Sequence, residues 1–404
     1  MRRFALPVAL AATMLATSPG HSAESPVSKG SLVIIGGALR PDNTAVWERI
    51  VQLAGGQGAR IAVFASASAN PEKAGAALVE RLNKYGANAF FVPVAVRLTG
   101  TDYQSAADNA ELANAVRNAG GAYFAGGDQA RITRALRRED GSNTRMLDAL
   151  WELYRRGGVI AGTSAGAAIM SSTMFGHPKP VLATLKLGLT DGQEITPGLG
   201  FIGDDVFVDQ HLLVRGRFAR MLPAMLQKGY KLGLGIDENT AMVVGPNRDV
   251  EVLGYKGALV VDLSSANARK GDFNVSNVRL SYLDNGDRFN IASHRFTPAA
   301  DKADGRLDPA RPYYREPLFS ADILGNSTVV DLMGKLIDSD QTEAIGLTLD
   351  SANAVQPDLG FEFRFSRTGE SVGYMSATTE AYSVYNVRLD IRPIVVRRPL
   401  YQYK

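Results

Sequence analysis

A serine hydroxyl becomes a useful nucleophile only when a base takes its proton and a third group fixes that base in orientation and tautomer. One serine of this chain sits in a setting made for that task. Residues 159–170 read Val-Ile-Ala-Gly-Thr-Ser-Ala-Gly-Ala-Ala-Ile-Met, an apolar run joined to a small-residue helix start through Ser164, with Gly162 and Gly166 on either side. A strand that turns sharply into a helix holds its middle residue in a strained conformation, and small neighbours let strand and helix approach closely. Ser164 is therefore expected to stand exposed at the carboxyl end of a strand, with the amide of Ala165 behind it. The five-residue pattern also occurs in plain tight turns, so its partners decide its meaning.

Beyond the N-terminal segment the imidazole has three sources, His177, His211 and His294. His177 precedes a proline in a loop, and His294 falls in a β-rich region. His211 follows the strand-like run 206–210 and precedes a basic stretch with Arg215, Arg217 and Arg220. The acid candidates are Asp209, Asp237 and Glu238. Asp209 and His211 flank one residue and would face the same side of an extended segment. Glu238 follows an apolar run that gives way to polar residues, and period-two logic does not choose among the three.

The elements that must position these groups alternate. Strand-like runs at 31–37, 60–65, 89–94 and 122–125 are separated by helical patterns at 43–53, with Asn43 as its N-cap, 71–84, with Pro71 in its first turn, and 105–119. A basic helix through Arg138 follows Gly126-Gly127-Asp128-Gln129. Continuous apolar strands between helices predict a doubly wound, mostly parallel α/β sheet covered on both faces. Ligands of such sheets lie outside the carboxyl ends of the strands, so Gly126-Gly127 and the Ser164 turn open on one rim. Gly36-Gly37 also ends a strand there but lacks the later glycine of a dinucleotide site. Segment 175–202 is long for a connection and is expected to form a pocket wall. A helix is expected over 212–228. From about 250 the texture turns to β, with a hairpin signal at Asp284-Asn285-Gly286, a linker at 298–315, one helix at 329–337 and further strands.

Composition bounds the rest. The 404 residues are 45% hydrophobic and 21% charged, with a net charge of +3, which is too small to point to nucleic acid or an anionic membrane as partner. There is no cysteine, which excludes disulfides and thiolate chemistry. Residues 1–23 combine Arg2-Arg3, a short apolar core and a small-residue end, the three parts of a signal peptide, so a secreted or periplasmic protein is expected. The expected division is a signal peptide at 1–23, a catalytic α/β domain at 28–290 and a β-rich domain at 300–404. Asp204, Asp205 and Asp209 are better explained by turns and caps than by a metal. No cofactor is expected, and the oligomeric state stays open, with a homodimer among the options.

Four motifs in order, Gly126-Gly127-Asp128-Gln129 with Arg131, the Ser164 turn, Asp209-Gln210-His211 with the three arginines, and Gly235-Ile236-Asp237-Glu238-Asn239-Thr240, together resemble cyanophycinases. These are serine peptidases grouped with aspartyl dipeptidase, and their fold is similar to the class I glutamine amidotransferases. The resemblance runs from about 31 to about 283. It implies a triad of Ser164, His211 and Glu238, and an oxyanion hole from the amides of Ala165 and of Gly127 or Asp128. It further implies a substrate, cyanophycin, whose polyaspartate backbone carries arginine on each side chain, and a β-Asp-Arg product. Gln129, Gln210, Arg215, Arg217 and Arg220 are the expected substrate contacts, since planar guanidinium forks suit carboxylates. Competing readings are an isoaspartyl or α-aspartyl dipeptidase of the same clan, an esterase that uses His294 after its acid, and a secreted binding protein without activity.

Overall fold

The structure is a computed structural model, and it describes residues 30–404. The expected signal peptide at 1–23 lies outside the described residues. Five strands, Ser31–Ile35, Val159–Thr163, Gly121–Phe124, Arg60–Phe64 and Asn88–Phe91, run parallel in that spatial order. Alternate residues of these strands feed two different cores. Leu32, Ile34, Phe64, Phe124 and Ile160 face one, while Val33, Ile35, Val63, Tyr123 and Val159 face the other. Burial on both faces is why the strands read as continuous apolar runs. The parallel half continues into four antiparallel strands, Thr240–Val244, Asp249–Gly254, Arg288–Asn290 and Arg295–Thr297. The result is the α/β layer with flanking helices that the alternation predicts, with an added β-rich C-terminal region.

A second sheet carries the rest. Val206–Gln210 lies parallel to Leu232–Ile236, which pairs with Ala258–Asp262 and then Val275–Leu283. The neighbours beyond are Tyr382–Val395, Leu359–Ser366, Glu343–Thr348 and Leu318–Ser320. The strands after residue 300 thus extend a sheet begun by residues 206–283, which the chain re-enters at Leu318–Ser320 after leaving the first sheet at Arg295–Thr297. Phe361, Phe363 and Phe365 alternate inward onto helices Phe218–Lys228 and Thr328–Ile337, which share one buried cluster.

Several local expectations change for identifiable reasons. The helix expected over 105–119 is two helices, Tyr103–Ala107 and Ala110–Arg117, because Asn109 Oδ1 accepts the amides of Glu111 and Leu112 and starts a new one. Asn43 is the N-cap residue of its helix, as expected, but its side chain caps no helix amide, because its Nδ2 donates to the carbonyl and Oδ1 of Asn239 instead. The turn at Asp284-Asn285-Gly286 is a crossing between sheets, from Val275–Leu283 in the second to Arg288–Asn290 in the first. The stretch 298–315 is not a free linker. Lys302 is 1% exposed and reaches Asp284 at 2.6 Å and Ser383 at 3.0 Å.

Candidate active site

Ser164 adopts φ 54° and ψ −109°, between the strand Val159–Thr163 and the short helix Ala165–Ala168. The turn is this tight because glycines remove the obstacles. A Cβ on Gly162 would overlap the carbonyl of Gly166, and one on Gly166 would overlap that of Phe124. The Ser164 amide donates to the Ile35 carbonyl at 3.0 Å, which fixes the turn against the neighbouring strand. Gly126 passes close by, its Cβ position 3.2 Å from Ser164 Cβ. Gly127 has φ +141° and presses on the Ala67 carbonyl, so only glycine fits. Among the described residues the amides of Gly127 and Ala165 have no hydrogen-bond partner, whereas that of Asp128 donates to Ala67 at 3.0 Å. Ala165 follows Ser164 directly and Gly127 follows Gly126, which passes beside Ser164, while the Asp128 amide is already engaged.

The other polar groups arrive from the second sheet. Gln210 and Ile236 end parallel strands in register, so His211 and the Asp237-Glu238 pair leave the sheet at one level. His211 Nε2 lies 2.8 Å from Ser164 Oγ, and His211 Nδ1 lies 2.5 Å from Glu238 Oε1. The junction with the first sheet is made by Gly36 and Gly37, whose role the sequence reading missed. The Gly36 carbonyl accepts the His211 amide at 2.9 Å, and the Gly37 carbonyl accepts that of Asn239 at 2.8 Å. A Cβ on Gly37, at φ +121°, would overlap the His211 ring, and one on Gly36 would overlap the Asp237 carbonyl. A pair of glycines closing a buried strand was the available signal.

The acid left open between Asp209, Asp237 and Glu238 is separated by environment. Asp209 and Arg220 form a buried bidentate pair with both contacts at 2.7 Å, and the Arg220 guanidinium also lies 4.1 Å over the Phe175 ring. Asp237 is fully buried, and its Oδ1 accepts the amides of Leu213 at 3.1 Å and Val214 at 3.2 Å. Lys256 Nζ stands 3.1 Å from its other oxygen, close enough for an ion pair though off the line of a hydrogen bond. Glu238 alone reaches the imidazole. Burial holds the His211 pKa below its ordinary value; the hydrogen bond that the ring donates to Glu238 opposes this, and the charges of Arg215 and Arg217 add to the lowering. The ring is therefore neutral and able to accept a proton at neutral pH.

The remaining expected contacts divide. Arg220, 3% exposed, spends its guanidinium on buried Asp209 rather than on an open contact surface, a correction to its expected role. Arg217 is half-buried and donates to the carbonyl and side-chain oxygen of Gln210, both at 2.9 Å. Burial, with Arg220 adding, pushes its pKa down to about 10, so an anion at this spot would be welcome. Arg215 is exposed. The helix expected to begin at 212 begins at Phe218, because Gly216 takes φ +57° and residues 212–217 turn instead. Gln129 donates to the carbonyls of Phe175 at 2.5 Å and Gly176 at 3.2 Å, which ties the 175–202 excursion to the rim. Asp128 caps the helix Gln129–Leu136 through the Ala130 amide. His177 is exposed, and His294 pairs with Asp262 at 3.2 Å. Asp205 binds Arg248, and no group of three or more metal-ligating side chains occurs among the described residues.

A nucleophile, a neutral base and an orienting carboxylate in hydrogen-bonded sequence, beside two free amides, can carry out acyl transfer. Comparison with known proteins agrees with that chemistry. The family model described as peptidase family S51 matches residues 32–248. A cyanophycinase of Geminocystis herdmanii is 30% identical over 283 residues, covering 66% of this chain and 96% of that protein. One of Synechococcus elongatus is 35% identical over 144 residues, covering 34% of this chain and 43% of that protein. A solved structure of a peptidase from an acI-B1 Actinobacterium aligns over 66% of this chain and 98% of that one, at 21% identity and a TM-score of 0.47.

Proposed function

The chain belongs to peptidase family S51 and is a serine-type peptidase, and from that premise we propose that it is an exported exopeptidase that cleaves cyanophycin to β-Asp-Arg. The observation that carries the reading is the hydrogen-bonded run from Ser164 Oγ through His211 to Glu238 Oε1. In this mechanism Ser164 Oγ attacks the scissile carbonyl while His211 Nε2 takes its proton. The amides of Gly127 and Ala165 receive the developing oxyanion, each supplying a factor of about 10² to 10³. The leaving amine takes the proton back from His211, and water then attacks the acyl-enzyme with His211 again as base. Glu238 holds the ring so that Nδ1–H points to it and Nε2 stays an acceptor. Arg215 and Arg217 are the groups suited to a free backbone carboxylate beside the scissile bond, because the partly dried Arg217 gains most from an anion.

Incubation of the purified protein with insoluble cyanophycin should clear the granules and release β-Asp-Arg, identified by mass spectrometry. Cleavage of short aspartyl dipeptides without clearing would replace this reading with the dipeptidase one. The Ser164→Ala protein should fold and lose about 10⁴-fold or more in turnover, leaving the residue due to binding and the amides. Wild-type turnover in that variant would remove Ser164 from the mechanism. Export is supported by the composition of residues 1–23, and N-terminal sequencing of the native protein checks it.

A further inference from the structure

The loop 212–217 joins His211 to the helix Phe218–Lys228 and carries both candidate carboxylate-binding arginines. It is gripped from two sides. Asp237 takes the amides of Leu213 and Val214. The opposite grip comes from the C-terminal section, beyond the residues that match the family model. Gly216 lies so close to the backbone of Leu324 that a Cβ would overlap the Leu324 carbonyl. The Ser327 amide donates to the Leu213 carbonyl at 3.4 Å. The side chains of Leu212 and Leu213 share a buried cluster with Ile323, Val329 and Met333, and half-buried Leu324 packs on the same cluster. A contact of backbone on backbone cannot be relieved by rotating a side chain, so the position of this segment and that of the loop are linked.

We propose that residues 323–329 are a positioning element of the active site, which sets where loop 212–217 holds Arg215 and Arg217 relative to His211 and the bound carboxylate. The inference rests on the reading of Ser164 and His211 as nucleophile and base. The charged groups acting on His211 are Glu238, which favours its protonation, and Arg215 and Arg217, which oppose it. A loop released from the C-terminal section lets the two arginines drift, and the imidazole then becomes more basic.

The test compares Leu324→Ala with Leu318→Ala, which trims another half-buried leucine of the same cluster on the far edge strand. Two quantities are read on the full chain, the rate of Ser164 labelling by a fluorophosphonate as a function of pH, and amide hydrogen exchange across 212–217. Leu324→Ala should speed exchange in the loop, slow labelling at neutral pH by roughly tenfold and move the acid limb to higher pH, with Leu324→Met restoring all three. Leu318→Ala should lower stability and leave both readouts as in the wild type. Unchanged loop exchange and an unchanged limb in Leu324→Ala, or the same change in Leu318→Ala, would overturn the proposal. Leu324→Val, a smaller truncation, gives the same signs if the alanine variant does not accumulate. A wild-type protein that fails to label contradicts the nucleophile assignment alone, and the loop exchange still decides this one.

Discussion

The two sheets supply the site in different ways. On the first, Ser164 is placed by neighbours in sequence: the strand 159–163, the helix 165–168 and the glycines between them. On the second, His211 and Glu238 are placed by the ends of two parallel strands and by Gly36 and Gly37, borrowed from the first sheet and distant in sequence. A hydroxyl set by a local turn tolerates change elsewhere in the molecule. An imidazole and a carboxylate set at a junction of sheets depend on contacts scattered over the whole chain. The stored strain lies on both sides of that junction, since Ser164 and His211 both have positive φ, at 54° and 50°.

The sharpest way to break this comparison is to alter two carboxylates of the second sheet. Glu238→Gln keeps the shape of the site but lets the ring adopt the wrong tautomer, and it should lower kcat/KM by about 10⁴-fold with little change in stability. Asp209→Asn leaves the buried Arg220 without its charge partner and should destabilise by about 3 to 5 kcal/mol. Thermal melts and kinetics on both variants read the contrast. A loss of rate in Asp209→Asn as large as that in Glu238→Gln, at unchanged stability, would move the orienting role from Glu238 to Asp209.

Gly37→Ala probes the junction itself. The new methyl group would overlap the His211 ring, so the imidazole must leave Ser164 while the Ser164 turn stays formed. About 10²-fold of the rate should be lost, with fluorophosphonate labelling of Ser164 falling in parallel. Wild-type labelling in this variant would show that the junction is more yielding than its contacts imply.

These differences explain what was legible in the sequence. The parallel half of the first sheet and the Ser164 turn could be read directly, because their signals lie within a few residues of one another. The acid could not be read from periodicity. His211 leaves its strand level with Asp237, yet Asp237 turns inward to the amides of Leu213 and Val214, and the next residue makes the contact. Arg220 and Arg217 look alike in sequence, and only the fold gives one a buried carboxylate and the other a half-open rim. The crossing at Asp284-Asn285-Gly286 carried the residues of a hairpin, but its two strands belong to different sheets, a distinction that local turn chemistry does not encode.

The smallest expected effect lies in the pH dependence, and it sharpens the comparison because its sign depends on which neighbour is altered. His211 must be neutral to accept the Ser164 proton, so activity rises as pH passes upward through its folded pKa. Burial, with Arg215 and Arg217, holds that pKa below the ordinary imidazole value, so the acid limb of kcat/KM should lie on the low side. Arg215→Ala removes one repelling charge and should move the limb to higher pH, by less at high salt because Arg215 is exposed. Glu238→Gln removes the carboxylate that favours protonation and should move the residual activity's limb to lower pH. Shifts of opposite sign in the two variants would tie the limb to an imidazole set between these groups. A limb that moves in neither variant would mean that another group titrates, and that the imidazole held at the meeting of the two sheets is not the base.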